Sequence, residues 1–412
     1  MLTVVRSAWA LFLGMFLLMI GNGLQGTLLG LRAQVEGFST LEISVVMSGY
    51  FVGFLFASRQ VPRLIGRVGH VRVFSALASL ISAVLVLYPI VAQPWAWTLG
   101  RVLIGFCYCG VYITAESWLN GSVANDNRGK ALSLYMVVQM AGIVFAQYLV
   151  VLGDVSQPTI FIVASILVSL SFAPVLLVAD QTPPVTETVK PMSIRRLVRT
   201  SPLACAGMAL LGSVFAAQFG MSAVYGLRAG LSAGEISLMV SLTYVAALVL
   251  QYPIGTLSDR IDRRVLILGL SAVGGGAALL TALLPPWLPV ILGAAMVVGG
   301  TSNPLYALLI AYTNDYVERE DMAGASAGLL YINGLGAIAG PLVIGWSLDL
   351  IGQRGFWAVI AVVMLALAAY AWRRMRMLPQ KAFVGDRASY TPVSAAASPV
   401  AVAASTEERE AA

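Results

Sequence analysis

Two ionisable residues stand inside long apolar runs, Arg101 and Glu116, in the stretch RVLIGFCYCGVYITAESWLN. Among apolar neighbours a charge costs free energy, so such residues mark a solute or proton path, or a lock between helices. On one helix their separation is about 22 Å, too far for a pair. Arg101 reads as a counter-charge for a solute or for a proton-carrying acid. Its other reading is a guanidinium that snorkels or bonds to carbonyls of a neighbouring helix. Glu116 reads as a proton-binding acid, as a latch paired with Arg128 or with the basic stretch at 59–72, or as an acid at headgroup level beside Trp118.

Other chemistry is sparse. Cys107, Cys109 and Cys205 lie in apolar runs, and the first two project to opposite faces of a helix, which suits packing better than a metal. His70, the only histidine, falls between apolar runs and reads as a loop residue. No phosphate-binding G-x-x-x-x-G-K-[ST] loop is present, so no ATPase is expected, and neither are a catalytic residue, a cofactor or a metal. Uncharged polar residues are more informative. Asn22 and Gln25 fall in the first apolar run, Gln218 takes the place of Asn22 in the seventh, and Ser302 and Asn303 precede Pro304 in the tenth. These five are expected to outline a solute cavity, with Gln139, Gln147, Thr301 and Asn333 as further members; each alone serves equally well as glue between helices.

The elements that hold these residues follow from composition. Of 412 residues 59% are hydrophobic and 11% charged, against about 25% charged in soluble domains, so most of the chain is solvated by lipid. Spanning a bilayer takes about 20 apolar residues as helix. Such runs lie near 8–31, 42–61, 71–92, 95–118, 130–153 and 158–179, and again near 204–227, 235–256, 264–284, 287–313, 322–347 and 356–375. Only Arg6 precedes the first, which exceeds a signal-peptide core and reads as a retained helix. If the connections alternate sides, one side holds the basic residues: of 25 Lys and Arg, only Arg32, Arg228, Arg354 and the span residue Arg101 fall elsewhere. That side is then cytoplasmic, with both termini. The net charge of +6 is therefore topology rather than a nucleic-acid footprint.

The chain divides into a six-helix half over 1–179, a polar linker DQTPPVTETVKPMSIRRLVRTSP at 180–202, a second half over 203–378, and a low-complexity tail over 379–412 expected to be disordered. The halves repeat. GFSTLEIS at 37–44 returns as GLSAGEIS at 230–237, GLRA at 30–33 returns at 226–229, and Tyr112 and Asn120 match Tyr306 and Asn314. Because six is even, both halves enter the membrane from one side and the repeats are parallel. The expected fold is an all-α integral membrane protein of twelve transmembrane helices in two parallel six-helix pseudo-repeats.

Specific motifs point the same way. GTLSDRIDRR at 255–264 is similar to the G-x-L-x-D-R-x-G-R-R loop of the major facilitator superfamily, with Asp262 in place of the second Gly; PRLIGRVGHV at 62–71 keeps Leu64, Arg67 and Gly69 but has Gly66 where the acid belongs. RVLIG at 101–105 resembles that family's R-x-x-x-G motif. GAIAGPLVIG at 336–345 is similar to a Gly-Pro motif of drug antiporters, though it falls in the eleventh span instead of the fifth. AESWLNGSVANDNRGKALSLYM at 115–136 resembles the YcaD-like bacterial branch.

The resemblance covers about residues 8–378 and implies a transporter whose spans one, four, seven and ten line a central path. It further implies a cytoplasmic gate of Arg67, Arg128, Asp259 and Arg260. In that gate Asp259 meets the helix N-terminus near Gly129 and Arg260 braces it, a placement the helix dipole also favours.

The expected function is a proton-coupled secondary transporter of a small organic solute, acting as a monomer in the bacterial inner membrane. In it Glu116 carries the proton and Arg101 sets the charge of the site. Two other functions fit the same residues: a uniporter in which Glu116 only latches a gate, and a non-transporting receptor or scaffold.

Overall fold

The computed structural model describes residues 2–122, 128–177, 192–377 and 390, without the side chains of residues 2–7, 122, 128, 129 and 319. Twelve helices in it are long and apolar enough to cross a membrane. The first six spans are α1 (Leu2–Val35), α2 (Thr40–Val68), α3 (His70–Ile90), α4 (Pro94–Ser122), α5 (Arg128–Leu152), and α6 (Thr159–Ser171) continued by α7 (Ala173–Leu177). A short helix α8 (Ile194–Thr200) follows. The seventh span is composite, α9 (Pro202–Ala216), a π turn over Ala217–Met221, and α10 (Ser222–Arg228). The rest are α11 (Ala233–Arg260), α12 (Arg263–Leu283), α13 (Leu288–Asn314), α14 (Arg319–Ile351) and α15 (Arg354–Met377).

The repeated octets encode one device used twice. Gly37 and Gly230 take φ of 74° and 77°, a left-handed conformation that a side chain would strain. Two residues on, Ser39 and Ser232 cap α2 and α11. Each serine Oγ accepts the Glu42 or Glu235 backbone N–H at 3.3 Å, and each glutamate returns a bond to the serine backbone N–H at 2.8 Å. These reciprocal capping boxes satisfy helix-end donors that lack a partner within the helix.

Glycine sets the spacing between spans. A Cβ on Gly105 would overlap the Tyr50 carbonyl, and one on Gly53 the Val102 carbonyl, so α2 and α4 pack backbone to backbone. The second half repeats this between α9 and α14, where Gly212 abuts the Asn333 carbonyl and Gly336 the Ala209 carbonyl. Small residues permit such approach where no hydrophobic force drives helices together. The GAIAGPLVIG stretch therefore acts here as a packing stripe, its last glycine, Gly345, lying against Ser44 of the other half.

Part of the linker is ordered. Ser193 caps α8, Met192 N–H donates to the Gly324 carbonyl at 2.9 Å, and Arg196 pairs with Asp321 at 2.6 Å, so α8 is pinned to the start of α14. Residues 180–191 of the linker lie outside the described residues, as does the tail except Tyr390. His70 departs from its reading as a loop residue. It is the first residue of α3, 1% exposed, with Nε2 2.9 Å from Ser117 Oγ on α4. The positive φ of Gly69 (85°) turns the chain so sharply that the next residue already points into the bundle.

Candidate functional site

Both halves contribute to one cavity of about 910 Å³ including its mouth, within the range usual for small-molecule sites. Its polar wall includes Asn22 (α1), Tyr112 (α4), Gln139 (α5), Gln218 (π turn), Asn303 (α13) and Asn333 (α14). Aromatic rings from Tyr50, Phe51 and Phe54 on α2 and from Phe215 and Phe219 complete it. Among the described residues, none that lines it carries a formal charge.

Of the residues expected to outline the cavity, Asn22, Gln218 and Asn303 do so; Gln25 and Ser302 stand behind the wall. Gln25 Oε1 accepts from Arg101 Nη1 at 3.3 Å, and Ser302 Oγ accepts from Gln218 Nε2 at 3.3 Å. Gln147 is likewise engaged in the core, donating to the Gly23 carbonyl and accepting from Thr27.

Arg101 is wholly buried and does not line the cavity. Two cavity rings lie over it, Tyr50 with its centroid 4.8 Å from the guanidinium carbon and Phe219 at 5.5 Å. The first contact follows from the R-x-x-x-G spacing, because Gly105, one turn on, lets the Tyr50 backbone come close. The second follows from the π turn, whose extra residue re-aims Phe219; such bulges in helices often mark functional sites. Arg101 Nε and Nη2 find no hydrogen-bond acceptor among the described residues. A buried guanidinium held by one amide and two rings, one from each half, is a costly arrangement that fold stability alone does not call for.

Glu116 is also wholly buried, enclosed by protein. It sits one helical turn beyond the cavity residue Tyr112, on the same face of α4. Of the gate residues, Arg67 and Arg260 are exposed, and the Arg128 side chain lies outside the described residues. Asp259 Oδ1 accepts the Tyr390 backbone N–H at 3.0 Å and lies 3.7 Å from Arg263. The Tyr390 ring is buried against Gly255, and that burial, with the Asp259 charge beside it, pushes its hydroxyl pKa well up.

Sequence reasoning missed two groups. The aromatic cluster Tyr50, Phe51, Phe54 has helical spacing, but on an apolar span it could as well face lipid. Arg263 is 1% exposed and pairs with Asp315 at 2.6 Å while donating to the Ala311 carbonyl at 2.9 Å. Its signal was its match to His70 at the 193-residue offset of the repeated octets.

The two halves meet mainly at the end poor in basic residues. Gly30 lies against Ala223, the Arg228 guanidinium reaches Thr40 Oγ1, and Ser48 Oγ donates to the Ile338 carbonyl at 2.9 Å. Toward the basic end the Arg59 guanidinium stacks on Tyr331 at 4.8 Å.

Comparison with known proteins gives consistent results. The family model described as Major Facilitator Superfamily matches residues 11–233 and 221–405. An uncharacterized MFS-type transporter from Enterobacter sp. (strain 638) is 28% identical over 351 residues, covering 83% of this chain and 88% of that protein. The uncharacterized MFS-type transporter YcaD from Salmonella heidelberg (strain SL476) is 26% identical over 350 residues with the same coverage. Among solved structures, a bacterial homolog of the human lysosomal transporter Spinster, inward-facing and unoccupied, matches with TM-score 0.75 at 15% identity, covering 90% of this chain and 97% of that one. The nucleoside transporter NupG matches with TM-score 0.72 at 15% identity over 90% and 99%. The E. coli fucose:proton symporter FucP matches with TM-score 0.58 at 15% identity over 92% and 100%.

Proposed function

The chain belongs to the major facilitator superfamily and is a multi-pass membrane transporter, not an enzyme; from that premise we propose that it moves a small organic solute by proton-coupled alternating access. The two six-helix halves rock about the central cavity. Packing at the end holding Arg228 supports an inward-facing form, and the distribution of Lys and Arg supports a basic end and both termini in the cytoplasm of a bacterium, with the spans in its inner membrane. One chain supplies the whole cavity, so a monomer suffices.

The observation that carries the reading is the place of Glu116. It is buried and sits one turn from the cavity residue Tyr112 on α4. A carboxylate whose surroundings change as the halves move binds a proton more strongly in the drier state. One proton crossing 100 mV supplies about 2.3 kcal/mol, roughly a fiftyfold concentration ratio. Arg101 serves as the outer gate: Phe219 moves with the second half, so opening that end removes a ring from the guanidinium and exposes its donors. Asp259, Arg263 and Tyr390 brace the cytoplasmic end, and Arg67, Arg128 and Arg260 belong to the same gate.

The burial of Glu116 fits a second reading as well, a uniporter in which Glu116 only latches the halves. Proteoliposomes with entrapped pyranine, challenged with a metabolite library, separate the two. Proton-coupled transport gives solute-dependent proton movement that Glu116→Gln abolishes; a solute that exchanges without moving protons establishes the uniporter.

A further inference from the structure

Resting on the transporter reading, we propose that the solute is an uncharged, flat ring compound bearing N–H or O–H donors on its edge. The hydrogen bonds of the cavity wall carry the argument. Asn22 Nδ2 donates to the Tyr112 hydroxyl at 2.9 Å, Asn303 Nδ2 to the Gly299 carbonyl at 3.3 Å, and Asn333 Nδ2 to the Met208 carbonyl at 3.1 Å. Three of the wall's carboxamides thus commit one N–H each to the protein, which fixes their orientation and turns their carbonyl oxygens away from those bonds. Asn22 Oδ1 is buried with no partner of its own, and an unmet acceptor in a cavity wall is what a ligand donor satisfies.

The remaining wall sets shape and charge. Tyr50, Phe51, Phe54 and Phe219 present rings from both halves, surfaces on which a planar solute stacks at little cost in conformational freedom. Among the described residues no lining side chain offers an anion a cationic partner, and Arg101 is screened by the Tyr50 and Phe219 rings. The positive charge behind those rings disfavours a cation stacked on them, and no lining carboxylate compensates it. Acceptor oxygens, flat walls and the absence of a lining charge together select a neutral donor-bearing ring.

The test is binding to the purified full chain, by isothermal titration and thermal shift, of uracil, hypoxanthine and nicotinamide with matched relatives. Orotate adds a carboxylate, 1-methylnicotinamide a cationic charge, and 1,3-dimethyluracil removes both N–H donors. At least one neutral parent should bind, its charged or N-methylated relative at least tenfold more weakly, and Asn22→Leu and Phe219→Leu should each weaken it tenfold. Equal or tighter binding of a charged or N-methylated relative overturns the proposal, as does no binding of any parent at 10 mM to protein whose unfolding is cooperative. Because the readout is binding, ring binding without flux would refute the transporter reading alone, and flux of a charged or acyclic solute would refute the ring proposal alone.

Discussion

The corners where α3 meets α4 and where α12 meets α13 are copies of one design with different chemistry. In the second half Arg263 opens α12 and joins Asp315 in an ion pair with both side chains at most 2% exposed. In the first half His70 opens α3 at the matching place and meets the Ser117 hydroxyl instead. Beside it, Glu116 stands where the second half has Ile310. One corner is locked by a charge pair; the other holds an imidazole and a carboxyl side chain. Duplicated scaffolds keep their capping boxes and glycine contacts because these fix helix ends and spacing. Divergence is tolerated where side chains alone decide the chemistry, and here it leaves Arg263 and Asp315 in one half and His70 and Glu116 in the other.

The largest effect should come from breaking the locked corner. Arg263→Ala leaves Asp315 buried without its partner and should cost about 3–5 kcal/mol of stability, read by thermal unfolding in detergent. His70→Ala removes one neutral hydrogen bond and should cost only about 1 kcal/mol; equal losses at the two corners would erase the asymmetry. Smaller, and the same in both halves, should be the effect of the shared caps. Ser39→Ala and Ser232→Ala should each cost about 1 kcal/mol, and a clear difference between them would show that the two boxes do not do equal work.

Much of this architecture was legible in the sequence because lipid imposes simple rules. All twelve spans lie within a few residues of their apolar runs, and the octet repeat marked the two halves, although its capping boxes were not read from it. Asn22, Gln218 and Asn303 were legible as polar residues on the spans expected to line a path. Tyr50, Phe51, Phe54 and Phe219 were not, since an aromatic ring on an apolar helix gives no sign of whether it faces lipid or a cavity. The π turn was hidden as well: AQFGM has no periodicity that separates it from the α-helix on either side. His70 was misread because a lone histidine among basic residues resembles a loop, and the backbone turn at Gly69 is what carries it inside.

The central claim is that the acid in the first half couples protonation to the rocking of both halves. Spin labels at Leu41 on α2 and Leu350 on α14, exposed by 63% and 65% at the end where the halves meet, report that rocking without any solute. In lipid nanodiscs between pH 5 and pH 9, double electron–electron resonance should show the populations of short and long distances shifting with pH in the wild type. The same shift should persist in His70→Gln and disappear in Glu116→Gln. A pH-dependent shift that survives Glu116→Gln, or a wild type that ignores pH, would contradict the account.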